Sequence, residues 1–158
     1  MRRVVRAFKD VTTLRLDFRT GMDAGASSRD DLRAACDFLL SSIESPPERL
    51  LLVGYSYGSL IVADVAPHLD ACCAFVLLAP PLGAKLPLVG PLRAPEASAA
   101  RSAKPKLVVL GTHDQFCSTA RFQRWAATVR TPATVRILEG AEVPVACCGD
   151  HHLSLIHI

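Results

Sequence analysis

The sequence predicts an α/β domain: a doubly wound, mostly parallel sheet with helices on both faces. Three observations carry that expectation. The stretches "RLLLVG" (49–54), "AFVLLA" (74–79) and "KLVVLG" (106–111) are continuous apolar runs, the pattern of strands buried on both faces. Segments with apolar residues at helical spacing lie between such runs, and regular strand–helix alternation builds a parallel sheet. The 158 residues, 50% hydrophobic and 21% charged, suffice for one domain with a buried core.

Taken in order, "TTLRLDF" (12–18) sets Leu14, Leu16 and Phe18 against Thr13, Arg15 and Asp17, the period of two that marks a strand. "SSRDDLRAACDFLLSSI" (27–43) offers Ser28 and Asp31 as a capping pair. Its apolar stripe runs through Leu32, Ala35, Cys36, Leu39, Leu40 and Ile43, one face of a helix. After the 49–54 strand, a short apolar helix runs from Ser59 to Ala66 and is stopped by Pro67, with His68 as a cap at its end. "TARFQRWAATV" (119–129) places Phe122, Trp125, Ala126 and Val129 on one helical face, and "ATVRIL" (133–138) is a last strand. Between the strands at 74 and 106, Pro80, Pro81, Pro87, Pro91, Pro95, Pro105, Gly83 and Gly90 mark a long connection, read as a loop: a substrate cover or a plain insert.

Composition narrows the function. A net charge of +3, without a run of like charges or a basic stripe interleaved with aromatics, argues against nucleic-acid binding. No apolar stretch is long enough for a membrane span. The cysteines at 36, 72, 73, 117, 147 and 148 include two adjacent pairs and no Cys-x-x-Cys, and the N-terminus lacks a signal-peptide pattern. Reduced thiols in a cytoplasmic protein are expected. Cys147, Cys148, His151 and His152 lack the usual zinc-ligand spacing, so no metal and no cofactor are expected.

"VGYSYGS" (53–59) carries the chemistry. Gly-x-Ser-x-Gly arises by chance in roughly one chain in twenty of this length, but here it lies between an apolar strand and a helix. A sharp turn at that place needs small residues on both sides of the serine and lifts its hydroxyl above the carboxyl edge of the sheet. The amide of Tyr57, at the helix start, can then donate to an oxyanion.

On these residues the chain resembles the α/β-hydrolase superfamily, over about Arg2 to His151, and is most similar to small bacterial-type and dienelactone-hydrolase-like serine hydrolases. "GYSYGS" resembles the nucleophile elbow, with Gly54 and Gly58 as its glycines, and "LVVLGTHDQFCS" the strand whose end carries the triad acid. The resemblance implies Ser56 as nucleophile, Asp114 as the acid and, from "CGDHH", His151 or His152 as the base. His151 is favoured, because its Asp-His step resembles the family's "Gly-Ala-Asp-His". The implied activity is attack on the carbonyl of a small-molecule ester, thioester or amide through an acyl-enzyme, with no cofactor. A catalytically inactive binding or interaction protein of the same fold is the alternative. His113 beside Asp114 is read as a surface residue.

Two departures from the family pattern are expected. The chain begins at "MRRVVRAFKD", read as the first helix, without the preceding strand and His-Gly loop that supply a second oxyanion amide. At the other end "LSLIHI" (153–158) matches the translation of a transposon-based sequencing adaptor. The chain is therefore read as a partial domain over 1–152, with a scar over 153–158. "EVPVACCG" (142–149) reads as an insertion between "GA" and "DHH".

Overall fold

A computed structural model describes residues 13–18, 25–41, 48–83, 93–141 and 154–157. The elements are β1 (Thr13–Leu16), α1 (Ala26–Ser41), β2 (Leu50–Tyr55), α2 (Tyr57–Val65) with a 3-10 turn (Ala66–His68), and β3 (Cys72–Leu78). They continue with α3 (Arg93–Arg101), β4 (Lys106–Gly111), α4 (Thr119–Ala126), β5 (Ala133–Leu138) and β6 (Ser154–His157). The sheet order is β1-β6-β2-β3-β4-β5. Strands β2 to β5 are parallel, with Leu52 beside Phe75, Leu77 beside Val108 and Val108 beside Val135. The α/β class, with a parallel sheet and helices packed on it, is as the apolar runs and their alternation require.

From β2 to β5 each connection moves one place across the sheet in the same direction. Right-handed crossovers then put the intervening helices on one face. On that face Leu50, Leu52, Phe75, Leu77, Val108 and Leu110 are buried, whereas Leu51, Val53, Val76, Leu107 and Val109 on the opposite face are half-covered. Leu32, Ala35, Cys36 and Leu39 are the buried stripe of α1, as their spacing requires, and Phe122 is the buried residue of α4. Ile43 and the helix read from "MRRVVRAFKD" lie outside the described residues.

Four local readings change. Helix α1 begins at Ala26, after Gly25 at φ +81°, so Ser28 lies inside the first turn instead of capping it. Helix α2 begins at Tyr57, two residues before the expected Ser59. At its other end the α-helix stops at Val65, one residue before the expected Ala66, Pro67 sits in the 3-10 turn that follows, and His68, expected as a cap, reaches Ser98 Oγ through Nε2 at 3.1 Å. The connection read as a loop from Pro80 to Pro105 contains α3. Pro95 falls in its first turn, where no intrahelical donor is required, and "EASAAR" then favours helix.

Strand β6, within the 153–158 stretch, fills the place between β1 and β2 and is antiparallel to both, with Ser154 opposite Leu16 and Gly54.

Candidate active site

The bend after β2 is built from close backbone contacts. A Cβ on Gly54 would lie 2.4 Å from the Gly58 carbonyl oxygen and 2.6 Å from the Ser59 Cα, so the strand and the helix it feeds touch backbone to backbone. Between them Ser56 takes φ 49° and ψ −119°. A non-glycine residue in such a region costs about 1–3 kcal/mol and persists where its surroundings hold it. Here the Ser56 N–H donates to Leu78 O at 2.9 Å, while Ser59 donates to Ser56 O through both its amide, at 3.0 Å, and its hydroxyl, at 2.5 Å. With both backbone groups engaged, the Ser56 hydroxyl neither caps α2 nor bonds to any described residue.

Tyr57 fixes the first turn of α2. Its phenol donates to Ser28 Oγ at 3.1 Å, and its ring meets Phe18 edge-on, with centroids 5.9 Å apart. A Cβ on Gly25 would come within 2.9 Å of the Tyr57 oxygen, so this glycine also makes room for the phenol. The Tyr57 amide, in the first turn, has no i−4 carbonyl to bond and carries the positive end of the helix dipole.

Asp114 follows β4 at the same carboxyl edge. Its Oδ1 accepts the amides of Phe116 at 2.8 Å and Cys117 at 2.9 Å, closing a tight turn. Its Oδ2 is buried and has no hydrogen-bond partner among the described residues. Buried carboxylate oxygens are rarely left unpaired, so among the described residues this oxygen stands out as an acceptor without its donor. Gly111 lets the turn sit where it does, because a Cβ there would lie 2.2 Å from Ala141 O. Beneath the turn, burial and then the neighbouring Asp114 charge push the Cys117 thiol up to about 11, so it is no nucleophile near neutral pH. His113 is exposed, as expected of a neighbour of Asp114 that points the other way.

Ser56 and Asp114 thus stand at the ends of β2 and β4, one strand apart from being adjacent. Two strand spacings are about 9.5 Å, room for one imidazole hydrogen-bonded at both ring nitrogens. His151 and His152 lie outside the described residues, as do Cys147 and Cys148. Among the described residues no cluster of three potential metal ligands occurs, and no helix is long and apolar enough to cross a membrane. Sequence reasoning missed Ser59 and Ser28, which hold the elbow. A hydroxyl three residues after the serine was the available signal for the first, and the second was masked by its expected capping role.

No family sequence model and no curated protein matches this chain. Solved structures do. The esterase domain of a Rhodothermus marinus protein is 22% identical with a TM-score of 0.61, covering 77% of this chain and 62% of that one. An alpha-beta serine hydrolase homologue from Coxiella burnetii is 22% identical with a TM-score of 0.62, covering 79% and 57%. The Pyrococcus furiosus esterase is 17% identical with a TM-score of 0.67, covering 80% and 59%. The chain therefore spans about three fifths of the length of these structures. Its parallel sheet, the bend at Ser56 and these likenesses together give it the fold of the α/β-hydrolase superfamily.

Proposed function

We propose that this protein is a serine hydrolase acting on an ester, thioester or amide carbonyl of a small molecule. The observation that carries the reading is the backbone of Ser56: a strained residue between strand and helix, both its peptide groups tied down and its hydroxyl unengaged among the described residues. In this reading the Ser56 oxygen attacks the carbonyl carbon as His151 accepts its proton, and the oxygen that becomes negative gathers at the Tyr57 amide. Asp114 would orient His151 through Oδ2, which has no partner among the described residues. The imidazolium returns its proton to the leaving alcohol, thiol or amine. Water then attacks the acyl-enzyme by the same route in reverse. The whole protein's substrate and its cytoplasmic setting belong to the same proposal.

The test is labelling by a fluorophosphonate probe, run on the full reading frame beside Ser56→Ala. Labelling of the parent with loss in the variant is expected. Equal labelling of the two would sink the nucleophile assignment, and no labelling of either would favour a non-catalytic binding protein of this fold.

A further inference from the structure

At the amino-terminal edge of the sheet, opposite the elbow, an open cleft of about 320 Å³ separates the 3-10 turn from the end of α3. That is the lower end of the range small-molecule clefts span, roughly 300–1,000 Å³. We propose that this cleft binds a phosphate dianion, free or as a monoester. Its lining includes His68, Ser98, Arg101, Ser102 and Lys104, and contains no carboxylate.

Lys104, Arg101 and Ser102 each leave a donor for the cleft, and the His68–Ser98 pair leaves one between them. The Lys104 ammonium donates to Ala66 O at 2.9 Å and to Leu69 O, which uses two of its three N–H bonds and cancels the carbonyl end of the 3-10 turn. Arg101 is exposed, and its guanidinium bonds to no described residue. Ser102 Oγ accepts from the Lys104 amide at 3.2 Å, so its own proton stays available, and Ser98 Oγ lies 3.1 Å from His68 Nε2 on the facing wall.

Carbonyls at the end of α3 would repel an anion, but three at or just after that end are already occupied. Ser98 O accepts from the Ser102 amide, Ala100 O from the Arg130 amide, and Ser102 O from Lys106 Nζ. What remains is two cations, the Ser102 hydroxyl and the one spare donor of the His68–Ser98 pair around a cleft, which suits a ligand with several acceptor oxygens and more than one negative charge. The six residues of β2 put this cleft about 20 Å from Ser56, so the inference stands apart from the hydrolase reading.

The measurement is a two-dimensional amide NMR titration of the full chain at constant ionic strength, with inorganic phosphate, glycerol 3-phosphate and acetate as separate arms. Saturable shifts centred on His68, Ser98, Ser102 and Lys104 are expected with phosphate, at a Kd of roughly 1 mM or tighter. Tighter binding of glycerol 3-phosphate would identify a monoester, and equal or weaker binding the free ion. Arg101→Ala, at an exposed position that leaves the fold intact by circular dichroism, should weaken binding about tenfold, and His68→Gln should weaken it less. Shifts that never saturate, that acetate reproduces in full, or that Arg101→Ala leaves unchanged would overturn the proposal.

Discussion

Half-buried Ser56 owes its place at the bend to backbone contacts that carry no chemistry. Gly54 lies against the Gly58 carbonyl and the Ser59 Cα, and neither partner can swing aside because both are backbone. Gly54→Ala should therefore destabilise the fold by ~3 kcal/mol or more, read as a drop in the urea midpoint, with labelling at Ser56 lost even where the protein is still folded. Asp114 poses a cleaner question, since Oδ1 holds the turn and Oδ2 holds nothing among the described residues. In Asp114→Asn the amide oxygen can keep both turn hydrogen bonds, while the amide nitrogen offers a donor where an imidazole N–H needs an acceptor. Stability should change by less than about 1 kcal/mol, and the fluorophosphonate labelling rate should fall ~10³–10⁴-fold. A fall in both together would mean that the carboxylate serves the turn alone.

Elements were legible in the sequence in proportion to how far burial alone determined them. Strands β2, β3 and β4 announced themselves because a sheet covered by helices demands unbroken apolar runs, and Phe122 and Leu32 followed from helical spacing. Helix α3 did not, because its stretch is crowded with prolines, and whether Pro95 breaks or starts a helix depends on which turn it occupies. Ser56 and Asp114 were readable from the ends of their strands. Of the links that secure them, Ser59 to Ser56 is a local contact three residues apart, whereas Ser28 to Tyr57 is a tertiary contact that no spacing encodes. The same holds for Lys106, a charged residue that opens an otherwise apolar strand. Its ammonium donates to Ser102 O at 2.7 Å and Arg130 O at 2.9 Å, tying α3 to the segment before β5, and lies 5.8 Å from the Phe75 ring centroid. Lys106→Met keeps the length of the side chain and removes the staple. It should cost about 1–3 kcal/mol, measured by thermal unfolding, with labelling at Ser56 unchanged because the staple sits at the opposite edge.

For the molecule as a whole, the buried thiols connect the core to pH. Cys36, fully buried on the inner face of α1, has its pKa pushed up to about 12, by burial first and then by the neighbouring Cys72 thiol and Asp37 carboxylate. A thiol in the unfolded chain ionises near its ordinary value of 9.0, so between pH 9 and 12 the folded state holds the proton that the unfolded state releases. The resulting stabilisation is whole below pH 9 and disappears as the pH climbs through 12, with a ceiling of ~4 kcal/mol for three pH units. Lys106 acts in the other sense, since burial and then Arg130 lower its pKa, and the unfolded state binds the extra proton just below 10.5. Comparison of the parent with Cys36→Ala isolates the thiol, because Lys106 is common to both. The variant should be less stable by a constant amount below pH 9, from the lost packing, and the gap should narrow steadily towards pH 11. A gap that stayed constant over that range would show that Cys36 ionises in the folded protein as easily as in the unfolded chain, and that the core beneath α1 admits water.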